Sequence, residues 1–214
     1  MSDPYCSCSR IYNPLVEPWL RPIKRQIVKE CLQARYTRVL DLGCGTGTLL
    51  DMLRRAGIQA IGLDLSPSML TLSREVFRGS PSLIRGRGEF LPFRSRSFEG
   101  VTISLMIHEN PPLLGKAILK EALRILVPNG SVFILEYHRT SKMSGKMAGM
   151  VEYAVEWAAG REHFRYYRLF MEKGALAGFL SHLPPEKIRW QSAFFGSLAL
   201  VTIPAVVQKD QSGQ

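Results

Sequence analysis

Long apolar runs are missing from this sequence. The longest nearly uncharged stretch, Ala193 to Val207, is interrupted by Gly196, Ser197, Thr202 and Pro204. A spanning helix needs about 20 consecutive apolar residues, so no transmembrane segment is expected. The first ten residues are polar and hold no signal-peptide core, which leaves the cytoplasm as the expected location. Cysteine is scarce, with Cys6, Cys8, Cys31 and Cys44 alone. Cys6 and Cys8 form a C-x-C, but no His or Cys follows at zinc spacing, so reduced thiols and no metal are expected. A repeat of 20 to 50 residues is absent, which excludes solenoids and propellers. The 13 Pro and 18 Gly show no period, which excludes collagen-like and low-complexity chains.

What is present describes an ordinary globular chain with a cationic bias. Its 214 residues are 46% hydrophobic and 21% charged, enough apolar content to bury a core. Lys and Arg exceed Asp and Glu by 28 to 18, a net charge of +10. Such a field favours anionic partners: nucleic acid, an acidic membrane surface or a charged ligand. From Arg139 to Lys173 there are seven basic residues against four Glu. No block of five like charges and no nucleic-acid motif accompanies them, so nucleic-acid binding is the lesser reading.

The chain alternates strand and helix. Residues 11–35 read as helix, broken or turned before Ile23 by Pro14, Pro18 and Pro22. Arg38 to Leu42 is a short strand, Thr48 to Ala56 a helix, and Ala60 to Asp64 a second strand. Ser66-Pro67 has the form of an N-cap with Pro at the first helical position. Leu83-Ile84, Gly100 to Leu105 and Ser131 to Glu136 supply further strands, the last after a turn at Pro128-Asn-Gly130. Helix is expected at Leu113 to Leu126 and through most of Lys142 to Leu183. Ile188 to Phe195 and Ser197 to Ile203, hinged at Gly196, must pair antiparallel. These elements predict an α/β fold: a Rossmann-like, seven-stranded, mostly parallel sheet with helices on both faces and a C-terminal antiparallel hairpin.

The strongest local signal is Val39-Leu-Asp-Leu-Gly-Cys-Gly-Thr-Gly47, after a strand and before a helix. Gly43 and Gly45 fit a dinucleotide fingerprint, but Thr48 stands where its third glycine belongs. Asp64 ends the next strand 23 residues after Asp41. A carboxylate at Asp64 suits a ribose diol. One at Asp41, by the loop mouth, would repel a pyrophosphate and suits an ammonium group. Ribose plus ammonium without phosphate is S-adenosylmethionine, and a nicotinamide dehydrogenase is disfavoured.

Val39 to Leu50 resembles the first motif of class I S-adenosylmethionine-dependent methyltransferases, and Ile61 to Leu70 their second. Glu89-Phe-Leu-Pro-Phe93 with Ser97-Phe98-Glu99, and Glu121 to Gly130, are similar to the ubiquinone/menaquinone-biosynthesis type of that class. Tyr12-Asn-Pro-Leu15 is a fainter match. The resemblance implies that Asp41 takes the methionine amino group and that Gly43, Cys44, Gly45 and Gly47 line methionine and sugar. It implies that Asp64 holds the ribose while Leu65 and Met69 pack on adenine. Tyr12, Gly88, Phe90, Ser104 and Leu105 complete the expected cofactor shell, with S-adenosylhomocysteine as product. The family's adenine-binding Asp is replaced by Arg87, which has no acceptor, so Glu89 or the backbone must serve.

Methyl transfer is in-line displacement at a sulfonium, and the protein contributes chiefly alignment. His108, after the fourth strand, is the candidate base; pocket shaping is its alternative role. The expected organisation is one domain: a helical cap at 1–36, a cofactor-binding core at 37–136, a helical lid at 137–183, a hairpin at 184–207 and a disordered tail at 208–214. His138, His163, Tyr166 and Tyr167 are the expected lid residues over the acceptor. Met143, Met147 and Met150 are expected in the core. The acceptor is expected to be a small or lipid-like (quinone, aromatic or amphiphilic) molecule, with peripheral contact to an acidic membrane as an associated expectation. RNA or protein methylation and a non-catalytic cofactor-binding scaffold are the alternatives.

Overall fold

The computed structural model of the protein describes residues 9–76 and 82–205. Seven strands form one sheet in the order β3-β2-β1-β4-β5-β7-β6. They are β1 (Arg38–Leu42), β2 (Gln59–Asp64), β3 (Ser82–Arg85), β4 (Phe98–Ser104), β5 (Leu126–Tyr137), β6 (Arg189–Ala193) and β7 (Leu198–Pro204). The first five run parallel; β7 is antiparallel to both β5 and β6. Helices α1 (Ser9–Gln33), α2 (Thr48–Arg55), α3 (Pro67–Val76), α4 (Pro112–Arg124), α5 (Met143–Ala158), α6 (Arg161–Glu172) and α7 (Ala175–Leu180) complete the fold.

The central strands are apolar on both sides because helices cover both faces of a parallel sheet. Val39, Leu40 and Leu42 of β1, Val101 and Ile103 of β4, and Val132 to Leu135 of β5 are all buried. Leu49, Leu50 and Leu53 of α2 and Ile118, Leu119 and Ala122 of α4 pack on them. Parallel strands put their carboxyl ends on one edge, where ligands of open α/β sheets bind. The loops after β1, β2, β4 and β5 meet there.

Two expectations change. Pro14, Pro18 and Pro22 do not break the first helix, which runs unbroken as α1. An interior proline forfeits a backbone hydrogen bond and costs roughly 3 kcal/mol. Here Pro18 and Pro22 lie on the exposed side, where water can reach the carbonyls they free. Leu20, Ile23, Ile27 and Cys31 bury the opposite side and offset the loss. Pro128-Asn-Gly130 is likewise not a separate turn: it lies inside β5, where the register with β4 shifts between Phe98 and Gly100. Asn129 takes φ +69° there, an irregularity the ladder absorbs. The hairpin of β6 and β7 has the expected antiparallel form, linked by a 3-10 turn at Phe194–Gly196. The expected tail at 208–214 lies outside the described residues.

Candidate functional site

The turn from β1 into α2 is built on Gly43, Gly45 and Gly47, with φ +71°, +52° and +78°. Side chains rarely adopt such angles, and at Gly47 a Cβ would also stand 2.2 Å from Ser73 Oγ. A Cβ on Gly45 would meet nothing within 4 Å, so that side of the loop is open to a ligand. The loop is tied to the next strand: Gly43 and Cys44 amides both donate to Leu63 O, at 2.8 and 3.1 Å. Asp64, at the end of β2, accepts from the Gly45 amide through Oδ2 and from the Ser66 amide through Oδ1, each at 2.8 Å. These bonds fix the carboxylate beside the glycine turn. Ser66 caps α3 as its position implied, its Oγ accepting from Met69 N at 3.1 Å.

Asp41 is 2% exposed and accepts a 2.5 Å bond from Thr102 Oγ1. Burial pushes its carboxyl up to about 6, against the pull of Thr102 and Lys24. Lys24 escaped the sequence reading. It is buried in α1, donating to Thr48 Oγ1 at 2.5 Å and to Glu17 Oε2 at 2.7 Å, so a cation stands at the start of α2. Cys44 turns inward toward β2, and burial raises its thiol.

Leu65 is half exposed, Phe90 is mostly exposed and Met69 is buried. Arg87 Nε donates to Glu89 Oε1 at 2.5 Å. That pair engages the Glu89 carboxylate, one of the two groups expected to serve where Arg87 cannot accept. Met106 packs between Gly43 and Gly88, linking this region to the loop after β4. Ser104 Oγ is buried without a hydrogen bond, and Leu105 is buried at φ +50°.

Beyond Met106 the chain turns through a 3-10 segment at Ile107–Glu109, on which α6 packs. His108 is 1% exposed. Its Nδ1 lies 2.8 Å from Glu136 Oε1. Glu136, fully buried at the end of β5, also accepts from the Ile107, His108 and Tyr137 amides. His108 Nε2 faces Glu156 Oε2 of α5 at 3.4 Å without hydrogen-bond alignment, so that contact is chiefly electrostatic. Glu156 also pairs with His163 of α6 and accepts from Tyr137 Oη at 2.5 Å. Burial disfavours the His108 cation, but Glu136 and Glu156 outweigh it and hold its pKa well above the ordinary value. Burial would raise Glu156, yet the same two histidines hold it low.

The expected lid set divides. His163 and Tyr167 come together with His108 and Tyr137: the His108 ring lies 5.5 Å from His163 and 6.0 Å from Tyr167. Tyr166 instead turns to the outer side of α6 beside Arg165. His138 packs on Trp190 of β6 with ring centres 5.6 Å apart, and burial lowers its pKa. Tyr137, the last residue of β5, packs instead on His108 and Tyr167, so the two neighbours in sequence have different ring partners. Tyr12 lies in α1 within the part whose side chains are outside the described ones. Met143, Met147 and Met150 are not core: they are 72%, 64% and 73% exposed. The inward face of α5 carries Ala148, Glu152 and Glu156 instead, because Ser197, Tyr137, His108 and His163 supply partners for the two carboxylates. Thr102, Glu136, Glu152 and Glu156 were missed for want of any local motif.

Residues 39–130 match the methyltransferase domain family. A ubiquinone biosynthesis O-methyltransferase of Xanthomonas oryzae pv. oryzae (strain PXO99A) is 27% identical over 75% of this chain and 67% of its own length. A demethylmenaquinone methyltransferase of Renibacterium salmoninarum is 37% identical over 47% of this chain and 41% of its own. Among solved structures, an O-methyltransferase family protein from Burkholderia thailandensis superposes with TM-score 0.68 at 14% identity, over 92% of this chain and 59% of that one. A chain from the complex between the Haloferax volcanii Trm112 methyltransferase activator and a candidate methyltransferase gives 0.67 at 17%, over 96% and 99%.

Proposed function

We propose that the protein, whose residues 39–130 match the methyltransferase domain family, transfers a methyl group from S-adenosylmethionine to a small or lipid-like acceptor bearing an aromatic ring. The observation that carries this reading is the cluster of Tyr137, Tyr167, Phe164, Phe170 and His163 beside the carboxyl edge. The names of the quinone-pathway relatives agree with such an acceptor. S-adenosylmethionine, when bound, supplies a methyl group on a sulfonium. The open side of Gly45 and the fixed carboxylate of Asp64 fit its ribose, and Asp41 fits its ammonium group. Leu65 and Phe90 offer exposed apolar surface beside the adenine position.

In this reading α5 to α7 form the lid, and the chain acts mainly by aligning acceptor, methyl and sulfur. His108, its two ring nitrogens facing the buried carboxylates of Glu136 and Glu156, shapes the pocket from below. The outer face of α5 supports contact with an acidic bilayer. Met143, Met147, Met150, Val151 and Trp157 are exposed on it. Burial of Glu152 and Glu156 removes two acids from a segment whose Arg139, Lys142, Arg161, Arg165, Arg168 and Lys173 stay exposed.

The test is release of S-adenosylhomocysteine from S-adenosylmethionine in the presence of phenols, catechols and prenylated quinols, with bulk RNA and protein as comparators. Turnover confined to the aromatic hydroxyl compounds is expected. Methylation of RNA or protein alone would overturn the acceptor class, and tight cofactor binding without any turnover would favour a scaffold.

A further inference from the structure

The buried cluster under α5 and α6 has more ligating capacity than an acceptor pocket uses. His108, Glu109 and His163 each offer one ligand atom, and these atoms lie within 4.8 Å of one another. We propose that these three residues, with Glu156 between the two rings, bind one divalent transition-metal cation of the zinc class. The ion pins α5 and α6 to the carboxyl edge of the sheet.

Four features support the site independently of the cluster itself. His108 Nε2 is a buried nitrogen without a hydrogen-bond partner, on a ring 1% exposed, aimed at Glu156. His108 Nδ1 is held at 2.8 Å by Glu136, whose other bonds come from three backbone amides. A carboxylate holding the far nitrogen of an imidazole is what orients a metal-bound histidine, and the incoming ion takes the place of the proton on the other nitrogen. Two imidazoles sharing one zinc at about 2.0–2.1 Å set their ring centres roughly 5 Å apart. The His108 and His163 rings stand 5.5 Å apart at 79°. Two imidazoles among the ligands suit zinc, cobalt or nickel and disfavour calcium or magnesium. One dication would also balance Glu136 and Glu156, whose side chains are 0% and 5% exposed.

The ligands come from three separate elements: the turn after β4, α5 and α6. An ion there would cross-link segments that otherwise meet through side-chain packing. This proposal stands apart from the acceptor's identity, and its test uses neither cofactor nor acceptor.

The full chain carrying Cys6→Ser and Cys8→Ser, which removes the C-x-C thiols, is stripped with a chelator and titrated with Zn2+ by calorimetry. Co2+ absorption reports the geometry and the nitrogen and oxygen ligands. One ion per chain at micromolar affinity or better is expected, with intense tetrahedral Co2+ bands. Free metal at 100 times Kd should raise Tm by roughly 5–10 °C. His163→Ala should weaken binding about 100-fold, in line with loss of one direct ligand beyond the 10- to 100-fold seen for outer partners. His182→Ala, exposed and remote in sequence, should leave it unchanged. Should His108→Ala fail to fold, His163→Ala and Glu156→Gln carry the comparison. Absence of binding at millimolar Zn2+, or binding that survives His163→Ala undiminished, overturns the site.

Discussion

Ser73 sits fully buried under the glycine turn with its hydroxyl lacking a hydrogen bond. An unsatisfied buried hydroxyl carries its desolvation cost uncompensated, about 1–3 kcal/mol. Ser73→Ala is therefore expected to be neutral or to stabilise by up to about 1 kcal/mol in chemical denaturation. Gly47→Ala should do the reverse, because its Cβ would enter the Ser73 side chain at a positive φ. Asp64 tests the cofactor reading more directly. Asp64→Ala removes a charged acceptor, worth ~2 kcal/mol or about thirtyfold in S-adenosylmethionine affinity by calorimetry. Asp41 behaves differently. Its folded pKa of about 6 lies above the ordinary 3.8, so the folded state holds a proton more tightly than the unfolded chain. The penalty of its charge is present above pH 6 and is relieved as pH falls from 6 toward 4. Two pKa units correspond to roughly 3 kcal/mol. Asp41→Asn should raise Tm at pH 8, with the gain gone near pH 4, while weakening cofactor binding at least tenfold. A variant no more stable at pH 8 than the parent would contradict this account of Asp41.

Among the elements, α5 shows where pattern reading misleads. Its Met residues at helical spacing read as an apolar stripe, yet they face outward, and acidic residues face in. Periodicity locates a face but not which side is buried; that was decided by Ser197, Tyr137, His108 and His163, which lie elsewhere in sequence. The strands and α2 to α4 were legible because their signals are local: apolar runs, glycine stops and the Ser66-Pro67 cap. The interior of α1 was not, since its prolines are local and the core that offsets them is distant. Glu152 shows the cost of the inverted face. Burial pushes it up to about 7, against its bond from Ser197 Oγ at 2.6 Å. Its folded pKa exceeds the ordinary 4.5. The penalty is therefore full above pH 7 and lost as pH falls below it. Glu152→Gln keeps an acceptor for Ser197 and should stabilise by up to roughly 3 kcal/mol at pH 8. Thermal melts should show the difference vanish by about pH 4.5; a constant difference across that range would point to packing instead.

At the scale of the whole molecule, the fold class and the glycine turn after β1 were readable from one sequence, whereas the buried polar cluster was not. A sheet announces itself in consecutive residues. The cluster joins His108, Glu136, Glu156 and His163 from four separate elements, and no local spacing records that meeting. The charge of +10 and the exposed face of α5 make a global prediction. The protein should sediment with vesicles rich in phosphatidylglycerol and be released as salt rises from low to physiological strength. Equal binding to neutral phosphatidylcholine vesicles would sink the electrostatic part.

The position of β7 has a consequence for how the molecule is made. Among the described residues it is the last strand in sequence, yet it lies between β5 and β6 and hydrogen-bonds to both. Until it emerges from the ribosome, β5 presents a bare edge and β6 has no partner. Strands β1 to β5 can assemble as they are synthesised, but β6 must wait, and the sheet can close only after residue 204 is free. Nascent chains stalled before Leu198 should accordingly bind chaperones and resist compaction. Those stalled after a long linker should become protease-resistant in one step.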